Sequence, residues 1–425
     1  MFLLACKSEP AGGAPASTSA PVPPPTGVPS ATATATASAS SEPVRDDWVL
    51  SALRATSAED MATWLSQAEA LRLQVLVTVV EKQGEQRHIV GKHGYRVDAE
   101  YFYPASAIKT FIAVAAMRHL RQLATEREIK IDQNTRFKRC KTAAGKCEVP
   151  EADEDEDEDD DEDEEKRRVG REVRAMLSYS DNDAYDRLYD LLGHRELNEA
   201  MGEMGFASVR FHHRLSTTSM RRTTRRVIIM PWGAPAIRKP PRVSDYVMPP
   251  TFAAEMDVGQ SYRDARGIQK EPMSFREKNY ASLRDLHLIN IALLFPELAP
   301  DVKLSLSEDD RQLVLSPMTG HLLPGARGAT HKPMLPGLRE VIDVSRLRYV
   351  NKAGRAYGFH LDNAYVVDEP TGMGFFVTAA IYANPNGVLN DDDYAYEDVS
   401  APFLAAVGEA LAKKVFGDIA PPKKN

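Results

Sequence analysis

The sequence predicts an α+β fold: an antiparallel sheet built from both chain ends, with helices on its faces and an all-helical subdomain between. Three observations predict it. A run rich in β-branched residues, "LQVLVTVV", opens the foldable part of the chain. Three further strand-like stretches, "LRYVNKAG", "DNAYVVD" and "GFFVTAAIYAN", lie in its last quarter. Most of the residues between them carry the 3.6-residue period of helices. At 43% hydrophobic the chain can fill a substantial core, and no apolar run approaches the roughly eighteen residues of a membrane-spanning helix.

Residues 1–44 stand apart. Leu3, Leu4 and Ala5 precede Cys6, which resembles the lipobox of bacterial lipoproteins, where the cysteine is acylated. The Ala, Pro, Ser and Thr that follow cannot bury enough surface to offset chain entropy and read as a flexible tether. The expectation is an exported lipoprotein, periplasmic or outer-membrane-tethered, touching the membrane only through its lipid. Few residues precede Cys6, so a start codon further upstream is expected. Cys140 and Cys147 enclose "KTAAGK", a polar loop that a disulfide would close in an oxidising compartment.

Residues 45–425 read as one domain with two interruptions. Helical spacing from Asp46 to Gln67 places Trp48, Leu50, Leu53 and Trp64 as packing residues. "LQVLVTVV" then pairs across a turn with "HIVG" and "YRVD". "SAIKTFIAVAAMRHLRQLA" is a helix apolar almost all round, which places it in the interior. The first interruption, 148–168, holds fourteen acidic residues between Glu151 and Glu165 and reads as a solvated insertion. Subtracting those fourteen from the formal charge of −8 leaves the rest of the chain at +6. "EVRAMLSYSDNDAYDRLYDLLG" and "HRELNEAMGEMGF" are helices that end at glycine. The second interruption, 214–280, is an elaborated loop region rich in Arg and Pro. Helices resume with "SLRDLHLINIALLF" and "SEDDRQLVLSPM", and "VSAPFLAAVGEALAKKVF" closes the chain.

Several function classes fall away. "RRTTRR", Arg221 to Arg226, has no aromatic or Gly-rich reading surface beside it, so no nucleic acid is expected. His212 and His213 are adjacent and cannot share a face, the acidic tract lacks calcium-loop spacing, and no metal or other cofactor is expected. A monomer is expected.

The chemistry rests on three short motifs in a fixed order. Ser106-Ala107-Ile108-Lys109 fits S-x-x-K, Ser180-Asp181-Asn182 is S-D-N, and Lys352-Ala353-Gly354 takes the place of K-T-G. Residues three apart on a helix share a face, so the Lys109 amine reaches the Ser106 hydroxyl, and burial beside a second cation would hold it neutral enough to act as a base. A helix start at Ser106 also supplies a free N–H for a developing oxyanion. A bare helix cap at Ser106 is the alternative to a nucleophile, and the company of the other two motifs argues against it.

With these motifs the chain resembles a class A β-lactamase-type serine hydrolase from about Leu71 onward, most closely in "YRVDAEYFYPASAIKTFIAV" and "LSYSDNDAYDRLYDLLGHRELNEAMGEMGF". The resemblance implies that Ser106 is the acylated nucleophile, Lys109 its base, and Ser180 the proton relay. It implies that Asn182, Ala353, Gly354 and Arg355 line the substrate site, and that Lys352 supplies positive charge for a substrate carboxylate. The N–H groups of Ser106 and Arg355 would form the oxyanion hole. The substrate would be a small β-lactam or a peptidoglycan-derived amide.

Two departures matter. The deacylating glutamate of the family falls near Leu215 or Ser216 in "FHHRLSTTSM", neither of which can activate water, and a carboxylate from the 214–280 region, such as Asp245 or Glu255, could substitute. Ala353 replaces the hydroxyl residue of K-T-G and removes one donor. The alternatives are therefore a slow-turnover penicillin-binding or peptidase-like protein, and a non-catalytic tethered binding module with the same fold.

Overall fold

The computed structural model describes residues 47–140, 167–217, 222–249, 255–320 and 331–417. Cys6, the tether, Cys147 and the acidic run 151–165 lie outside them. Among the described residues, no helix is long and apolar enough to cross a membrane.

Two short helices, α1 (Asp47–Arg54) and α2 (Met61–Ser66), replace the single helix expected. Leu53 and Trp64 are buried as predicted, whereas Trp48 and Leu50 are half-exposed. β1 (Gln74–Gln83) and β2 (Gln86–Tyr95) form one hairpin around Gly84, whose φ of +63° suits a two-residue turn. A 3₁₀ turn over Ala105–Ile108 runs straight into α3 (Lys109–Arg127), buried on all sides from Lys109 to Met117. β3 (Arg136–Arg139) and β4 (Arg167–Arg168) stand on either side of the residues not described, and pair with each other. Cys140, just after β3, is disulfide-bonded. Helices α4 (Val169–Ser178), α5 (Asn182–Leu192) and α6 (His194–Met204) follow.

The elaborated region is more than loop. It contains β5 (Val227–Met230) and β6 (Ile237–Lys239), which extend β3 and β4 into a four-stranded sheet. Four short strands come next: β7 (Asp257–Val258), β8 (Ser261–Asp264), β9 (Gly267–Gln269) and β10 (Met273–Ser274). Its two ends meet at a neck. Asn279 Oδ1 accepts from the N–H groups of His212 and His213 at 2.8 and 3.1 Å, and Arg210 and Tyr280 exchange backbone bonds of 2.8 and 2.9 Å.

After α7 (Leu283–Leu294), α8 (Glu308–Thr319) and α9 (Leu335–Arg339) come β11 (Leu347–Asn351), β12 (Gly354–Ala356), β13 (Phe359–Asp368) and β14 (Gly374–Tyr382). The short strand β15 (Val388–Leu389) and helix α10 (Ala401–Phe416) end the described chain. The main sheet is antiparallel in the order β11-β13-β14-β1-β2, with β12 also on β13. The first hairpin thus docks onto strands from the far end of the chain, with Val77 opposite Val377. This is the predicted α+β architecture. β13 is buried along its whole length because helices cover both faces. Tyr365 and Val367 face a core shared with α3, α5 and α7, while Ala364 and Val366 face one shared with α1 and α10.

Candidate active site

The site lies where α3, the α4–α5 junction and β12 meet. Helical pattern runs through "EVRAMLSYSDNDAYDRLYDLLG", yet the chain breaks there. Ser180 takes a φ of +57°, and the Asp181 carboxylate accepts from the N–H groups of Asp183 and Ala184 at 2.7 and 3.0 Å, capping α5. The central residue of S-D-N is therefore structural. Its cap turns Ser180 and Asn182 toward Lys109.

Lys109 is fully buried and donates to the Ser180 carbonyl (2.6 Å), the Asn182 Oδ1 (2.6 Å) and the Ser180 hydroxyl (3.2 Å). The first two acceptors cannot donate in return. Three donations use all three hydrogens of an ammonium, and on deprotonation the amine can keep those to the Ser180 carbonyl and Asn182 Oδ1 while its lone pair is freed toward a hydroxyl. Ser106, half-buried, stands one turn earlier on the same face. No side chain caps the turn that contains it, so the helix-cap alternative has no support. Ala105, just before it, is held at a φ of +45°, a conformation that costs about 1–3 kcal/mol and persists only where surroundings impose it.

Lys352 arrives from the sheet. Its Nζ donates to the Ser180 hydroxyl at 3.1 Å and to the Ala353 carbonyl at 3.2 Å, and its own N–H holds the Asn363 carbonyl of β13. Burial pulls its pKa down to about 8, against an upward pull from Asp362. Gly354 explains the third motif. A Cβ there would stand 2.4 Å from the Pro104 carbonyl and 3.1 Å from the Ala107 nitrogen, so only glycine lets β12 lie against the turn that carries Ser106. Arg355 follows on that strand, and its side chain pairs with Glu397 at 3.0 Å. Ser106, Lys109, Ser180, Asn182, Lys352, Ala353, Gly354 and Arg355 are thus brought together.

Behind the sheet lies a charge that sequence reading missed. Asp362, on β13, accepts from Asn351 at 2.7 Å and from the Tyr349 hydroxyl. Lys332 donates to Asn351 Oδ1 at 3.1 Å and to the Tyr349 carbonyl at 2.8 Å. Burial raises Asp362 to about 6 and lowers Lys332 to about 8. The signal was a lone carboxylate in the apolar strand "FHLDNAYVV".

The expected glutamate position is occupied by Leu215 and Ser216, with a carboxylate of α5 against their backbone. The N–H groups of Leu215 and Ser216 bond to Asp186 Oδ1 at 2.6 and 3.4 Å, fixing that segment from α5. Burial raises the Asp186 pKa to about 6. Asp245 is exposed and pairs with Arg195 at 2.6 Å, and Glu255 is exposed.

This arrangement is that of a serine hydrolase scaffold, and comparison with known proteins gives the family. The model of the beta-lactamase enzyme family matches residues 57–411, beginning before the resemblance at Leu71. The chain belongs to that family. No curated protein matches the sequence. Among solved structures, it is similar to a β-lactamase from Sphaerobacter thermophilus at 16% identity and TM-score 0.46, covering 89% of this chain and 100% of that one. It is similar to a β-lactamase from Burkholderia vietnamiensis at 14% identity and TM-score 0.46, covering 86% and 99%. A β-lactamase from Xanthomonas campestris stands at 14% identity and TM-score 0.45, covering 87% and 99%.

Proposed function

We propose that the chain is a serine hydrolase that forms an acyl-enzyme on Ser106 with β-lactams or related cell-wall amides and releases it slowly. The observation that carries this reading is the junction at the Ser180 hydroxyl, which lies within 3.2 Å of both lysine Nζ atoms. In the forward step the Ser106 oxygen attacks the amide carbonyl and its proton passes to neutral Lys109. The Ser106 and Arg355 N–H groups hold the oxyanion. As the C–N bond breaks, the leaving nitrogen takes a proton from Ser180, which regains one from Lys109. Lys352, charged below about pH 8, draws the substrate carboxylate to the same junction.

Release needs a base to activate water, worth about 10²–10⁴-fold. Leu215 and Ser216 hold that place, which favours slow release over efficient turnover. We further propose that Cys6 is lipidated and tethers the enzyme outside the cytoplasm. The deciding experiment is intact-mass analysis after exposure to benzylpenicillin. A stable adduct on the parent chain, absent from Ser106→Ala, is expected. Equal labelling of both proteins, or of neither, would overturn the reading.

A further inference from the structure

Among the described residues, Lys278 is a buried cation without a counter-ion. Only 9% of the residue is exposed, yet among the described residues the one acceptor for its Nζ is the neutral Tyr357 hydroxyl, at 3.3 Å. Its ammonium also lies 5.0 Å from the centre of the Tyr357 ring. Other buried cations are better served: Arg187 meets Glu172 at 2.8 Å, Arg214 meets Asp190, and Lys332 has the Asp362 cluster. A buried charge is costly unless paired, so an ammonium left with one weak acceptor is a place prepared for an anion.

Tyr357 independently marks the spot. Tyr357 and Gly358 form the two-residue turn between β12 and β13, with φ values of +54° and +80°. Asparagine or glycine adopts the first of these freely, whereas a bulky aromatic there is strained. The strain is imposed from around the ring. Tyr357 packs on Tyr103 and Phe275 with centroids 5.6 Å from each. Tyr103 in turn stands three residues before Ser106. Lys278 itself is delivered by the end of the elaborated region, its N–H on the Phe275 carbonyl at 2.9 Å and the neck residue Asn279 directly after it.

The direction of β12 says which part of a substrate meets this cation. If Lys352 holds the carboxylate on the leaving-group side and Arg355 the scissile carbonyl, the acyl side runs on toward Tyr357. Resting on the acyl-enzyme reading above, we propose that Lys278 and Tyr357, walled by Tyr103 and Phe275, form an anion subsite for a carboxylate on the acyl side of the substrate. The substrates preferred are then amides whose acyl group is acidic, with an aromatic or aliphatic body against the ring cluster.

Two penicillins that differ by a single side-chain carboxylate, carbenicillin and benzylpenicillin, test this directly. On the full chain, acylation of Ser106 is followed by intact mass at several concentrations of each, and the ratio of the two second-order rates is the readout. Carbenicillin is expected to be favoured roughly tenfold, as a desolvated charge pair supports. The ratio should fall to about one in Lys278→Met and be retained in Lys278→Arg. An unchanged ratio in a folded Lys278→Met, or no preference in the parent chain, overturns the subsite. If neither penicillin acylates Ser106, the enzyme reading fails on its own. The subsite is then decided by titrating the protein with phenylmalonate against phenylacetate. Tighter binding of phenylmalonate that Lys278→Met removes supports it, and equal binding sinks it.

Discussion

The Nζ of Lys352 lies 3.1 Å from the Ser180 hydroxyl, 172 positions earlier in the chain, and the Lys109 Nζ lies 3.2 Å from the same oxygen. A hydroxyl oxygen has two lone pairs, so both can be occupied while its hydrogen stays available to a leaving group. Ser180→Ala removes the shared acceptor and the relay together. Acylation is expected to slow by about 10²–10⁴-fold while Lys109 and Ser106 remain in place. Stopped-flow acylation by a chromogenic cephalosporin measures it, and a wild-type rate in the variant would remove Ser180 from the proton path.

The charge on Lys352 sets a second expectation. Its pKa is lowered from 10.5 to about 8, so the cation is present below about pH 8 and is lost above it. The apparent affinity for carboxylate-bearing substrates should therefore weaken above pH 8, well before an ordinary lysine would titrate. Asp362→Asn removes the carboxylate that pulls this value upward. The alkaline limb should move to lower pH in that variant, and a limb that stays put would show that Asp362 does not act on Lys352.

Supplying the missing base is a direct trial of slow release. Leu215→Glu or Ser216→Glu places a carboxylate on the segment that Asp186 holds against α5. The adduct lifetime should shorten by about 10²-fold or more if the segment borders the acyl group. Timed mass spectra of the adduct follow the change. Unaltered lifetimes in both variants would mean that the segment does not face the ester.

Asp186 also makes a stability prediction. Burial raises its pKa from 3.8 to about 6, so the native state binds the proton more tightly than the unfolded chain does. Stability from this group is greatest at low pH and falls as pH rises through 3.8 to about 6, by about 3 kcal/mol at 1.36 kcal/mol per unit. Asp186→Asn keeps an oxygen for the N–H groups of Leu215 and Ser216 without the charge. Its melting temperature should exceed that of the parent above pH 6 and match it near pH 4. A lower value at pH 8 would show that the ionised carboxylate is needed.

The architecture and the motif residues were legible because their signals are local. The β-branched run at Gln74–Gln83 and the all-round apolar helix after Ser106 each declare their own burial. The break at Ser180 is hidden from periodicity, which continues on both sides, and shows in the sequence only through Ser180-Asp181-Asn182 as a helix-capping turn, which the Asp181 cap forms. The single helix read over Asp46–Gln67 was not correct. The strands of the elaborated region are two to four residues long, too short for alternation to register. Lys278 and Tyr357 meet across 79 positions, a pairing that no spacing rule reveals.

The neck at Asn279 closes a segment that is bound into the scaffold along its length as well as at its ends. Beyond the Arg210 and Tyr280 backbone bonds, β5 continues the sheet of β3, and Arg214 and the Arg225 N–H both reach Asp190 of α5. Val227, Ile229 and Phe275 are buried in the core that α3 and α5 share. A change of content inside this span is therefore transmitted to α5, the helix that Asn182 opens, and from there to the amine of Lys109.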